Sequence, residues 1–257
     1  MNAASELHQV KPEDLIDAEA SRLRLSAPAI TLRPQNGSRL VFVTEPNGVA
    51  VEQYKLLRRR LCAMSPRGGL LLVTSPGPGE GKTLTSVNLA WCMAEGGPPT
   101  CLVDLDLRAS GVGATLGYEP TWGGVDEILS GKSTISDVIR QVGSRPLYVL
   151  GVRERLPAPT HHFAPSNLLP LLKELQDTFE WVIIDMAPAI PMSDVAEVLP
   201  YVDGALMVVR SDVTAKSLVG PTFELLGSKL WGVVLNDAPV SGSSYYGHYG
   251  YGYAKLP

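Results

Sequence analysis

Leu70-Leu71-Leu72-Val73-Thr74-Ser75-Pro76-Gly77-Pro78-Gly79-Glu80-Gly81-Lys82-Thr83 is an apolar run of strand length that breaks into a glycine- and proline-rich loop and ends on a lysine and a hydroxyl. Glycines permit backbone curls closed to other residues, so successive N–H groups can point into one hollow, and a helix starting near Lys82 adds the positive end of its dipole. Such a hollow suits phosphate oxygens. In this reading the loop Gly77, Pro78, Gly79, Glu80, Gly81, Lys82, Thr83 and Leu84 cradles a nucleotide, Lys82 bridges its β- and γ-phosphates, and the Thr83 hydroxyl ligates magnesium. The strict G-x-x-x-x-G-K-[ST] pattern is missed at its first position, which is Pro76.

Outward from this stretch, apolar runs of strand length alternate with helix-length segments: Leu40 to Thr44, Leu70 to Thr74, Cys101 to Asp104, Leu147 to Gly151, Trp181 to Asp185, Ala205 to Val209 and Val233 to Asn236. Runs such as Trp181-Val182-Ile183-Ile184 are apolar on both faces, which suits parallel strands covered by helices on each side. The alternation predicts an α/β fold with a doubly wound, mostly parallel sheet. Ligands collect at the carboxyl ends of strands in such sheets, and two further polar motifs open there. In Asp104-Leu105-Asp106-Leu107-Arg108 the two acids are two residues apart and point the same way if extended; Arg108 continues that face if the extension persists. Two carboxylates beside a triphosphate make chemical sense with a cation between them, or with one of them receiving a proton. In Asp185-Met186-Ala187-Pro188 the acid stands where magnesium is oriented, normally through water. The candidate metal-side residues are therefore Thr83, Asp104, Asp106 and Asp185. Asn236 ends the last run, either to read an adenine edge or as a buried amide closing the strand.

At 257 residues and 45% hydrophobic content the chain can bury one substantial core. Residues 1–38 are polar and proline-broken and read as a flexible leader, residues 39–240 as the phosphate-binding domain, and residues 241–257 as a disordered tail. The tail carries Tyr245, Tyr246, Tyr249, Tyr251 and Tyr253 among glycines and serines. A formal charge of -4 argues against a nucleic-acid binder, which needs a concentrated basic excess. Arg58, Arg59 and Arg60 read as a solvated helix face. Cys62, Cys92 and Cys101 lie in or beside apolar stretches, as core residues of a reducing compartment do. The order of a signal peptide is missing, and no apolar run approaches the roughly 20 residues that span a bilayer. The expectation is a cytoplasmic protein, held at the inner face of the cell membrane by a partner.

On the three motifs and the tail together, the chain resembles the bacterial tyrosine kinases of capsule and exopolysaccharide systems, phosphate-loop proteins unrelated in fold to eukaryotic protein kinases. The resemblance runs from about Leu40 to the C-terminus and includes Pro191-Met192-Ser193-Asp194 and Val202-Asp203-Gly204. It implies a sheet of the P-loop NTPase type, ATP and Mg2+ as cofactors, Lys82, Asp104, Asp106 and Arg108 as the catalytic set, and autophosphorylation of the tail between neighbouring subunits of a ring. It also implies a membrane-embedded activator or polysaccharide co-polymerase as a separate chain, and a tyrosine phosphatase. Relatives carry an E-x-x-R-x-x-R ring helix; here Glu52, Lys55 and Arg58 take its places on one helical face, and a lysine lacks the planar fork of arginine. Thr160-His161-His162 stands where relatives have an acid-containing turn, with no role assigned.

Phosphoryl transfer needs alignment and charge neutralisation more than covalent chemistry. One of Asp104 and Asp106 is expected to accept or orient the tyrosine proton while the other serves the metal, and the sequence leaves that division open. Two competing readings remain. One is an ATP-switch ATPase of the partition or positioning type, whose signature lysine would stand at Gly77. The other is a catalytically silent ATP-binding partner of a polysaccharide export complex.

Overall fold

The computed structural model describes residues 27–33 and 38–239. Among these, β1 (Ala29–Ile30), β2 (Gly69–Thr74), β3 (Thr100–Asp104), β4 (Arg140–Val142), β5 (Leu147–Leu150), β6 (Trp181–Asp185), β7 (Gly204–Arg210) and β8 (Leu230–Asn236) form one eight-stranded sheet in the order β1-β4-β5-β3-β6-β2-β7-β8. All neighbours run parallel except β4 and β5. The expected doubly wound α/β sheet is thus the observed one.

Period-two geometry sorts the central strands into two cores. Leu70, Leu72, Cys101, Val103, Val182 and Ile184 face one side, while Leu71, Val73, Leu102, Trp181 and Ile183 face the other. Burying each of the larger side chains stabilises the sheet by about 1.5–3 kcal/mol. The first side is covered by α7 (Pro165–Thr178), whose Leu168, Leu171, Leu172 and Leu175 form a single helical stripe, and by α8 (Asp194–Val198) and α9 (Lys216–Leu226). On the second side α3 (Lys82–Glu95) is buried continuously from Thr85 to Ala94, because α1 (Val41–Thr44) and α2 (Val49–Met64) lie over it. Short helices α4 (Val112–Leu116), α5 (Val125–Leu129) and α6 (Ile135–Val138) fill the crossover between β3 and β4.

Two expectations are corrected. The run from Leu40 to Thr44 is no strand: Val43 and Thr44 donate to the Leu40 carbonyl at 2.8 and 3.0 Å, and the Asn88 side chain accepts from the Val41 N–H, so the run curls onto α3 and buries Leu40 and Phe42. The leader expected to reach residue 38 also contributes to the sheet, since Ala29–Ile30 pairs with β4 and Ile30 is buried. Strand β4 carried no signal because Arg140-Gln141-Val142 is three residues long with one buried side chain. Cys62, Cys92 and Cys101 are free thiols, the last two buried. Among the described residues no helix is long and apolar enough to cross a membrane.

Candidate active site

Strand β2 delivers the loop to the carboxyl end of the sheet, where its own side chains shape it. The Thr74 hydroxyl donates to the Ala187 carbonyl at 2.7 Å, and the Ser75 hydroxyl donates to the Gly77 carbonyl at 2.7 Å. The Gly77 N–H donates to Glu80 Oε1 at 3.1 Å, which closes a turn with Pro78 and Gly79 exposed at its tip. Glu80 itself is buried, and burial pushes its carboxyl above the usual carboxylate range although a side-chain hydrogen bond with Thr214 and the Gly77 amide oppose the shift. Gly81 takes φ +92°, and a Cβ there would lie 2.1 Å from Asn236 Nδ2. No side chain caps α3, so the N–H groups of its first turn stay directed at the loop, as an anion site requires. Leu84 sits half-buried in that turn.

The acids come from two adjacent strands. Asp104 and Asp185 are register partners across β3 and β6, both fully buried. Asp104 is occupied with folding: Oδ1 accepts from the Asp106 N–H at 3.1 Å and Oδ2 from the Val112 N–H at 3.2 Å. Asp106 instead meets Lys82 Nζ at 2.5 Å. Asp185 accepts from the Thr83 hydroxyl at 2.6 Å and from Ser86 at 2.9 Å. Lys82, Thr83, Asp104, Asp106 and Asp185 therefore converge on one end of the sheet.

Their charges are unbalanced. Burial and then the neighbouring Asp185 raise the Asp104 carboxyl well above its ordinary value. Burial also raises Asp185, against the opposing pull of Lys82 and the two hydroxyls. Burial alone would lower the Lys82 ammonium, but Asp185, Asp106 and Asp104 together outweigh it and the net shift is upward. Among the described residues no group of three or more His, Cys, Asp or Glu side chains is placed to hold a metal by itself. Magnesium suits this donor set nonetheless, because it binds through one or two protein oxygens and completes its shell with water and phosphate. A hydroxyl already held on a carboxylate, beside surplus negative charge, supplies such oxygens.

Arg108 does not continue the face of the two aspartates, because strand geometry ends at Asp104. It forks onto Asp194 through Nε at 2.7 Å and Nη2 at 3.2 Å, and donates Nη1 to the Pro157 carbonyl. The segment reaching Pro157 is zipped to the same loop, since Leu156 N–H donates to the Leu107 carbonyl and Arg155 Nη2 to that of Ser110. Asn236 uses Nδ2 on the Glu80 carbonyl at 2.9 Å, tying the end of β8 to the phosphate loop. Of the ring-helix residues, Glu52 and Lys55 pair with each other at 2.7 Å in solvent. Arg58 departs from the solvated face expected of it and donates to the Cys92 carbonyl at 2.7 Å, whereas Arg59 and Arg60 are exposed. Thr160, His161 and His162 lie in a 3₁₀ turn, Pro159–Phe163. Tyr245, Tyr246, Tyr249, Tyr251 and Tyr253 lie outside the described residues.

Sequence reasoning missed three participants. Ser86 stands one turn beyond Thr83 on α3 and so shares its face, a spacing that could have revealed it. Asp194 was part of a noted stretch without a role. Thr214 had no signal, because it meets Glu80 only through the fold.

No family model matches the chain. It is 31% identical over 231 residues to the tyrosine-protein kinase YwqD of Bacillus subtilis (strain 168), an alignment covering 86% of this chain and 97% of that relative. Among solved structures the chimerical protein CapA2B2 matches with a TM-score of 0.74 and 26% identity, over 87% of this chain and 100% of its own. The septum site-determining protein MinD of Pyrococcus horikoshii OT3, complexed with Mg-ADP, matches with a TM-score of 0.53 and 22% identity over 65% of this chain and 69% of its own, a likeness of fold alone.

Proposed function

The chain belongs to the bacterial tyrosine kinases, and on that premise we propose that it transfers the γ-phosphoryl group of ATP to the tyrosines of its own C-terminal segment. The observation that carries this reading is the Lys82–Asp106 pair at the mouth of the phosphate loop, together with the Asn236 amide that roots the C-terminal segment beside the same loop. Lys82 exchanges its carboxylate partner for phosphate oxygens when nucleotide enters. The loop N–H groups and the start of α3 hold the phosphates in line. Magnesium, when bound, would be held from the protein side by Thr83 and Asp185 and would supply neutralisation of the phosphate charge.

Asp106 is the group that takes the phenolic proton. Asp104 is less suited, because both of its oxygens accept backbone N–H groups, whereas Asp106 gives only Oδ1 to a backbone N–H, that of Ala109, and its Oδ2 is freed when Lys82 turns to phosphate. As the tyrosine oxygen bonds to phosphorus, the bond to the bridging oxygen breaks, ADP leaves, and the proton passes to the Asp106 carboxylate. Arg108 acts by fixing the loop that carries Asp106. Reach is sufficient: the 13 steps from Val240 to Tyr253 span at most about 45 Å, enough for a neighbouring copy's site. Each phosphate adds about -1.5 to -2 charges, so multiple transfer repels the segment from an acidic site and loosens a ring. In this setting the kinase works in the cytoplasm with a separate membrane-embedded activator of capsule or exopolysaccharide export, and a tyrosine phosphatase resets it. Glu52, Lys55 and Arg58 lie on the helix assigned to the ring contact.

Purified protein incubated with Mg-ATP and activator tests this, scoring phosphotyrosine against released phosphate, with and without residues 241–257. Phosphotyrosine that requires the segment is expected. Phosphate release alone favours a switch ATPase, and neither product favours a silent partner.

A further inference from the structure

Strand β8 ends the sheet, and among the described residues its outer edge pairs with nothing. Its side chains are divided unequally. Met207 and Val209 of β7 belong to the core on the α9 side, and their register partners on β8 are Val233 and Leu235, which therefore point to that side. Yet Val233 and Leu235 are 47% and 59% exposed, with Phe223 of α9 and Val213 also open to solvent. The opposite face is served, for Val234 and Trp231 pack on the second core. An unpaired edge flanked by two uncovered apolar side chains is a strip prepared for one more strand.

The chain carries a segment of matching pattern close by. Asn236 is followed by Asp237 in a left-handed conformation, by Pro239, and by Ser241-Gly242-Ser243-Ser244, residues that serve turns. Next comes Tyr245-Tyr246-Gly247-His248-Tyr249-Gly250-Tyr251-Gly252-Tyr253, in which Tyr245, Gly247, Tyr249, Tyr251 and Tyr253 share one parity, four tyrosines in five, and Tyr246, His248, Gly250 and Gly252 the other. Tyrosine favours strands, and aromatic side chains pair well with branched aliphatic ones across a ladder. Seven residues of β8 cover about 23 Å, and the nine residues of this segment, about 30 Å when extended, are long enough to pair along all of it. We propose that the free edge of β8 docks the chain's own Tyr245–Tyr253 segment as an added antiparallel strand, its tyrosine face laid over Val233 and Leu235. Docking belongs to the unphosphorylated chain, because a phosphate on Tyr249 or Tyr251 would bring charge onto apolar side chains. The edge strand is then both a shelter for the tyrosines and a competitor of the transfer site for them.

Hydrogen exchange on the full-length protein without nucleotide tests this independently of any kinase activity. In the parent chain the β8 amides that face away from β7 are expected to exchange slowly. A Gly250→Pro/Gly252→Pro variant, which removes two tail N–H groups at unchanged length, should speed their exchange about tenfold or more. Val233→Lys/Leu235→Lys should do the same while leaving the amides bonded to β7 protected. Equal exchange in parent and proline variant would overturn the proposal. So would protection that grows with protein concentration, which assigns the edge to a second copy.

Discussion

Lys82 Nζ lies 2.5 Å from Asp106 Oδ2, and with side chains 11% and 2% exposed the two charges depend on each other. The lysine opens a helix and the aspartate follows a strand end, so the pair fixes the phosphate loop against the acidic loop before any nucleotide arrives. Lys82→Met leaves a buried carboxylate without its partner and should cost about 3–5 kcal/mol in urea unfolding as well as abolishing transfer. Lys82→Met/Asp106→Asn should recover most of that stability and none of the activity. A double mutant no more stable than Lys82→Met would show that the pair is not coupled.

Asp185→Asn should separate stability from function through pH. The folded protein binds the Asp185 proton more tightly than the unfolded chain does, because burial raises this carboxyl. Its stabilising share is therefore full below the unfolded value of about 4 and is lost as pH rises through the folded value. The variant escapes that loss, and the Thr83 and Ser86 hydroxyls can turn to suit an amide. Its stability relative to the parent should grow as pH rises above about 4, with phosphoryl transfer impaired throughout. Parallel stability curves for the two proteins would contradict this.

Arg108 and Asp194 form a two-pronged contact whose acid is 1% exposed. Arg108→Ala should cost about 2–3 kcal/mol by stranding Asp194, and Arg108→Lys less, since it keeps the charge and loses the fork. If the arginine acts only by positioning, Arg108→Lys should reduce kcat in proportion to the lost loop order and leave the pH profile of transfer in place. An altered pH profile at unchanged stability would make Arg108 a direct participant.

Gly79 and Gly81 both have positive φ, yet they differ in surroundings. A Cβ on Gly79 meets nothing within 4 Å, whereas on Gly81 it strikes the Asn236 amide at 2.1 Å. Gly79→Ala should cost about 1 kcal/mol of backbone strain and leave nucleotide binding measurable. Gly81→Ala should break the Asn236–Glu80 tie and remove binding, read by fluorescence of a labelled ATP analogue. Equal losses in the two variants would refute the role given to that tie.

Much of this was legible in the chain because buried parallel strands announce themselves. Each central run with no polar alternation became a strand; Asp104 and Asp185 end β3 and β6, Asp106 follows two residues on, and Lys82 and Thr83 open the helix after the loop that β2 delivers, so their meeting is set by topology. What was hidden depends on partners distant in sequence. Leu40 to Thr44 has the composition of a strand but finds α3 and Asn88 instead of a ladder. Arg108 resembles an extension of the acidic pair until Asp194, 86 residues later, draws it aside. The short β1 and β4 are held mainly by backbone pairing, β1 with β4 and β4 also with β5, and each buries a single apolar side chain, Ile30 and Val142.

The Thr83–Asp185 contact joins residues 102 positions apart, one in the first turn of α3 after β2 and the other at the end of β6, strands that are neighbours only in the finished sheet. A chain that has made its loop but not yet inserted β6 owns the lysine and the hydroxyl without the acid that steadies them. Competence to hold nucleotide thus requires the completed sheet, and nucleotide, by favouring only that arrangement, stabilises it over partly built forms.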